Sequence, residues 1–301
     1  MKIAIHGLGR MGMQIARKLS EGGHEVIAHN RSAAPIAEAE KYGAKGAADK
    51  QAVIAAFGGE HVTIWLMLPA DVVDDQLHEW LDILPSGSSI IDGGNSDYRL
   101  TQKRSETVKA KGMSFIDVGT SGGVWGYQNG FSMMVGGDDV EAVNGLDTVL
   151  QTLAAPSGAY FHFGPSGSGH FVKMTHNAVE YGMMESLAEG YRMLKEGPYT
   201  SLDLAAAGNV WQHHSVVTSW LNELCQSALS ENPELEGIDG FVAESGEARW
   251  TLETADELGL PMPAIRTSFD VRIASQHGET NFATKLLAAM RNKFGGHSLN
   301  S

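Results

Sequence analysis

Lys2-Ile3-Ala4-Ile5-His6-Gly7-Leu8-Gly9-Arg10-Met11-Gly12 opens the chain, and its reading decides the fold. A short apolar run with strand character leads directly into G-x-G-x-x-G at the head of a helical stretch. In that setting the first glycine makes a tight turn, the second lets a pyrophosphate approach the backbone, and the third lets helix and strand pack closely. Free N–H groups and the positive end of the helix dipole then face the phosphates. Gly7, Leu8, Gly9, Arg10, Met11 and Gly12 are therefore expected to bind a dinucleotide.

Further strands are expected at 25–29, 63–68, 88–92, 114–118, 131–135 and 160–163, alternating with helical stretches. That alternation predicts βαβ units around a mostly parallel sheet, and most of these runs are continuously apolar, as strands covered on both faces are. The second strand ends in Asn30-Arg31-Ser32. An acidic residue there would hold the ribose hydroxyls of NAD and repel the extra phosphate of NADP. With no carboxylate, and with a guanidinium beside two short hydrogen-bonding side chains, NADP is the preferred cofactor and NAD remains possible. Met67 and Leu68, at the end of the strand at 63–68, complete the cofactor set.

Past Gly164-Pro165-Ser166-Gly167-Ser168-Gly169 the texture changes to long helical patterns broken by Gly197-Pro198, Asn232-Pro233 and Leu260-Pro261-Met262-Pro263. The expected architecture is an α/β Rossmann-like domain at 1–165 followed by an all-α domain at 166–301 for substrate and oligomerisation. A length of 301 residues fits two such domains.

Composition bounds the function. Twenty-two Lys and Arg stand against 36 Asp and Glu, a formal charge of −14. That balance argues against nucleic acid and against an anionic membrane surface. The charge is segregated: residues 222–262 hold ten acidic residues and the single Arg249, and read as a solvated helical region, whereas 272–301 is net basic through Arg272, Lys285, Arg291 and Lys293. The lone Cys225 cannot form an internal disulfide, no targeting segment is visible, and the apolar run at 62–70 is too short for a membrane helix. A cytoplasmic protein without a metal site is expected.

Lys173, His176, Asn177, Glu180 and Tyr181 share one face of the helix that follows the boundary. An ordinary buried stripe at these offsets would be aliphatic. Ala178, Met183, Met184 and Leu187 on the other side read as buried, so the polar line is expected to border a wet cleft. Lysine serves as a base when burial or a neighbouring positive charge brings its pKa towards neutrality, and a desolvated carboxylate serves as an acid. The pair predicts proton removal at one end of a small substrate and proton delivery at the other. Asp92-Gly93-Gly94-Asn95-Ser96 and Gly119-Thr120-Ser121-Gly122-Gly123 follow strands on the side where ligands sit in open α/β sheets.

With these motifs the chain resembles the decarboxylating 6-phosphogluconate dehydrogenase family, in its short bacterial form, within the β-hydroxyacid dehydrogenase superfamily. The resemblance rests on 2–12, 92–96, 121–123 and 167–182, and runs on to Phe294-Gly295-Gly296-His297. It implies oxidation of the C3 hydroxyl of 6-phospho-D-gluconate with reduction of NAD(P), then loss of CO2 to give D-ribulose 5-phosphate. Lys173 would take the hydroxyl proton and Glu180 would protonate the enediol. Asn95, Ser121, Gly122, Gly123, His176, Asn177 and Tyr181 would hold the sugar acid, with Asn95 also near the cofactor, and Arg272 would bind the phosphate. Arg291 and His297 match an Arg and a His that, in the family, reach into a neighbouring subunit, which implies a homo-oligomer, dimer or tetramer. Ser245 stands where the family has a phosphate-binding Lys, so phosphate binding is expected to lean on Arg272, Arg291 and Tyr181. The alternatives are a non-decarboxylating β-hydroxyacid dehydrogenase and a non-catalytic dinucleotide sensor.

Overall fold

The structure, a computed structural model, describes residues 1–199 and 201–300. Two compact units emerge, Met1–Met174 and Thr175–Ser301. The division falls inside the long helix Ser168–Glu196, past the glycine-rich segment at which the sequence texture changes. The first turns of this helix belong with the strands because glycines let the backbones meet. A Cβ on Gly169 would overlap the Met134 carbonyl, and one on Gly119 would overlap the Lys173 side chain.

The first unit is an eight-stranded sheet in the order β3-β2-β1-β4-β5-β6-β7-β8. The strands are β1 Lys2–His6, β2 Glu25–His29, β3 Lys45–Ala47, β4 Thr63–Leu66, β5 Ser89–Asp92, β6 Ser114–Ser121, β7 Ser132–Gly137 and β8 Tyr160–Gly164. All neighbours are parallel except β6 and β7, which run antiparallel. Ile3, Ala4 and Ile5 of β1 and Ile64, Trp65 and Leu66 of β4 are fully buried, as central strands flanked by helices require.

Three details depart from the sequence reading. β3 is an added strand, too short and too exposed at Lys45 and Gly46 to leave a pattern, and it blunts the sheet edge. β6 continues through Gly119, Thr120 and Ser121, because β7 pairs with it there, Gly119 opposite Met134 and Ser121 opposite Ser132. At the far edge, β8 exposes Phe161 and Phe163, whose rings touch, so this strand is not covered on both faces.

Among its described residues the second unit holds helices joined by loops and no strand. The C-terminal part of Ser168–Glu196 packs with Leu204–Gln212, Trp220–Glu231 and Phe282–Gly295 around Met184, Tyr191, Cys225, Leu287 and Met290. Glu247–Glu257 and Pro263–Gln276 complete it. Asn281 and Thr284 form a capping box that starts the last helix. No helix among the described residues is long and apolar enough to cross a membrane.

Candidate active site

In the first unit the glycine run does what its spacing predicts. Gly7 has φ +101°, a value that favours glycine, and a Cβ there would overlap the Met67 carbonyl. A Cβ on Gly12 would overlap the Gly7 carbonyl, whereas Gly9, exposed at the N-cap of helix Arg10–Glu21, has open space beside it and no side-chain cap on the helix. The uncapped N–H groups and the bare Gly9 face fit a pyrophosphate. The Leu8 N–H donates to Asn30 Oδ1 at 3.0 Å, and the Asn30 amide donates to Ser32 Oγ at 3.0 Å. Asn30 thus locks the turn, leaving Arg31 and Ser32 exposed beside it. Met67 and Leu68 lie just past β4 and are half-buried, and the Met67 N–H bonds the His6 carbonyl.

Below this turn lies a group that sequence reading passed over. The Trp80 indole N–H donates to His6 Nδ1 at 2.9 Å, and the His6 and His29 rings stand 4.7 Å apart. Burial, and then the charges of His29 and Lys50, push His6 down to about 3, so it is neutral.

The Asp92–Ser96 segment is held from beneath. Arg104, buried, donates to Asp92 at 3.0 Å, to Ser96 at 2.9 Å and to Asp74 at 2.6 Å. This leaves Asn95 exposed at the tip. Ser121 ends β6, Gly122 and Gly123 follow it, and all three are half-buried. Asp117, on the same strand, accepts from the backbone N–H groups of Gly167 at 2.7 Å and His170 at 2.8 Å. It thereby anchors the start of the long helix, whose Lys173 is only 7% exposed.

In the second unit Asn177, Glu180 and Tyr181 follow on the same helix, and two buried guanidinium groups belong to this unit. The Arg272 guanidinium lies 3.2 Å from the centre of the Tyr181 ring and is 2% exposed. Arg291, 8% exposed, is lowered to about 10, first by burial and then by the positive charge of Arg272, while Tyr181, Glu180 and Glu247 oppose the shift. Among the described residues no carboxylate lies within ion-pair distance of either guanidinium. Two buried cations so placed fit an anionic ligand. The Tyr181 hydroxyl is buried too, and no described residue hydrogen-bonds it.

Arg291 is buried on a helix held by Leu286, Leu287 and Met290 in the core, and its charge is felt with those of Arg272, Tyr181 and Glu247 of the same chain. The His297 carbonyl accepts from the Asn292 amide at 2.7 Å. Two expectations need correction. Met183 is exposed, so the second buried face of the long helix is narrower than expected. The acidic stretch is not wholly solvated either: Glu247 is 1% exposed and accepts from the Asn177 amide at 2.8 Å. Glu185 is also buried, and burial together with the charge of Glu189 pushes it up to about 7 against the pull of Arg272. No periodicity marks either glutamate, because burial of both comes from tertiary packing. Arg249 is exposed and donates to Glu244 at 2.6 Å.

Comparison with known proteins covers both units. Residues 2–164 match the profile described as the NAD binding domain of 6-phosphogluconate dehydrogenase, and residues 169–298 match its C-terminal domain. An NAD(+)-dependent, decarboxylating 6-phosphogluconate dehydrogenase of Haloferax volcanii is 38% identical over 301 residues, spanning 99% of this chain and 98% of the relative. A decarboxylating 6-phosphogluconate dehydrogenase of Haemophilus influenzae is 32% identical, and the match covers 95% of this chain but 62% of that longer protein. Among solved structures, the 6-phosphogluconate dehydrogenase of Plasmodium falciparum, studied with NADP+ and with 6-phosphogluconate, superposes with a TM-score of 0.80 at 24% identity, covering 96% of this chain and 70% of that one. At that identity the superposition speaks for the fold.

Proposed function

The chain belongs to the 6-phosphogluconate dehydrogenase family, and on that premise we propose that it oxidises and decarboxylates 6-phospho-D-gluconate to D-ribulose 5-phosphate and CO2 while reducing NAD(P). The observation that carries the reading is the long helix, which bears Lys173, Asn177, Glu180 and Tyr181 on one face without a break. Seven residues at 1.5 Å each separate Lys173 from Glu180 by about 10 Å along the axis, a span suited to a sugar acid.

A bound NAD(P), held by the turn from Gly7 to Gly12 and by Asn30, Arg31 and Ser32, would supply the hydride acceptor for C3. Lys173 accepts the proton of the C3 hydroxyl as the ketone forms. The β-keto acid then loses CO2 as Lys173 returns its proton to the carbonyl oxygen, and Glu180 delivers a proton to the carbon of the resulting enediol while Lys173 takes the hydroxyl proton back. Asn95, Ser121, Gly122, Gly123, His176 and Asn177 hold the hydroxyl and carboxylate groups. Arg272, Arg291 and Tyr181 hold the phosphate, supported by the finding that among the described residues no carboxylate pairs with either guanidinium group. Exposed Arg31 and Ser32 favour NADP through its 2′-phosphate, with NAD accepted. A homo-oligomer, dimer or tetramer, in the cytoplasm completes the reading, and the buried free thiol of Cys225 fits a reducing compartment.

The test is to supply purified protein with 6-phosphogluconate and NADP or NAD, and to follow reduced nicotinamide and CO2 together. Equal release of both is expected. Hydride transfer without CO2 would replace this reading with the non-decarboxylating one. Lys173→Met is expected to lower kcat by about a thousandfold, with NADP affinity retained. Turnover near wild type would remove Lys173 as the base.

A further inference from the structure

Glu247 is the first residue of helix Glu247–Glu257, behind Gly246, whose φ is +100°. Its carboxylate is almost wholly buried, and its two oxygens are unlike. Oε1 accepts from the Asn177 amide at 2.8 Å, whereas no described residue donates to Oε2. No cation pairs with it. The charges of Glu247 and Arg291 sense each other, but beyond ion-pair distance. The helix N-terminus eases the negative charge, yet a buried carboxylate oxygen with no donor remains costly.

The surroundings narrow what can supply that donor. Among the described residues no cluster of His, Cys, Asp or Glu could hold a metal ion. An anionic group on Oε2 would set like charges together, and the buried guanidinium groups of Arg272 and Arg291 already offer such a group a place. A neutral donor carried by the same ligand would satisfy Oε2 without setting like charges together, and a polyhydroxylated acid has such donors along its chain. Nearby cations do not compete for the role, since Arg249 is turned outward onto Glu244 and over the Phe269 ring.

We propose that Glu247 is a specificity-determining residue of this enzyme: Oε1 fixes the Asn177 amide, and Oε2 accepts a hydrogen bond from a hydroxyl of the bound sugar acid. This assignment rests on the sugar-acid reading of the site. It makes the chain sort its ligand by position, with the anionic end on the arginine pair and an uncharged hydroxyl on Glu247.

Glu247→Gln tests it, because glutamine keeps the shape and can still accept from Asn177 but presents N–H groups in place of Oε2. The measurements are kcat and KM for 6-phosphogluconate and for analogues each lacking one hydroxyl, with NADP affinity as the control for folding. In the wild type, loss of the hydroxyl held by Glu247 is expected to raise KM about tenfold or more, the effect of one charge-assisted hydrogen bond. E247Q is expected to raise KM for the parent substrate by a similar factor, and to lose nothing further with that one analogue. If every analogue costs the two proteins the same factor, or if E247Q leaves KM where it was, Glu247 does not read a hydroxyl. A wild-type protein that neither binds nor turns over 6-phosphogluconate overturns the functional reading, and this assignment with it.

Discussion

Replacing Glu185 by glutamine should make this protein more stable in neutral and alkaline solution. Glu185 is 6% exposed, one helical turn beyond Tyr181, and its carboxyl is raised from 4.5 to about 7, chiefly by burial. The folded value lies above the unfolded one. The contribution to stability is therefore fully present below pH 4.5 and is lost as pH rises through about 7. By pH 8 the unfolded chain has released this proton, and the folded protein must either keep it or bury the charge. The difference amounts to about 3 kcal/mol at pH 8 and about 1 kcal/mol at pH 5. Glutamine preserves the shape and has no proton to lose, so it removes this penalty. Arg272, whose buried charge Glu185 partly offsets, limits the absolute gain. The change between the two pH values is therefore the cleaner readout. Urea unfolding of wild type and variant, followed by circular dichroism and tryptophan fluorescence, supplies it. The expected result is a gain for the variant that grows by about 2 kcal/mol from pH 5 to pH 8. A difference that stays constant across that range, or a variant less stable at pH 8, refutes the reasoning.

Two further outcomes follow from buried charge and buried neutrality in the first unit. His6, held near 3 against 6.5 unfolded, stabilises the fold above pH 6.5 and loses that contribution as pH falls. The loss is about 2 kcal/mol by pH 5, and His6→Asn, which keeps an acceptor for Trp80, should flatten the acid limb of the urea midpoints; parallel limbs would contradict it. Arg104→Leu should cost about 3–5 kcal/mol in urea, because it strands the buried Asp92 carboxylate, whereas a loss below about 1 kcal/mol would mark the pair as no better than a surface one.

What the sequence disclosed was local or periodic. The strand, turn and helix around Gly7 follow from a contiguous motif, and the polar line from Lys173 to Tyr181 from helical offsets. Longer-range packing stayed hidden. Gly119, Thr120 and Ser121 look like turn residues, yet they are strand because Met134, Met133 and Ser132 pair with them. Glu185 and Glu247 look like solvated helix glutamates, yet helices distant in sequence cover them. The burial of Arg291 stayed hidden as well, since it follows from the packing of Leu286, Leu287 and Met290 on its helix.

The glycines beneath the start of the long helix bear on how this lysine can be inherited or re-engineered. Lys173 occupies its place because Gly119 on β6 has no side chain, and the helix lies where it does because Gly169 has none against the Met134 carbonyl. Transplanting the lysine onto a scaffold with alanine at either position would reproduce the letter but move the amine. A search for proteins that share this chemistry should therefore weigh two absences in distant segments as heavily as the lysine itself. A designer seeking to shift this amine has a lever there that touches no polar atom.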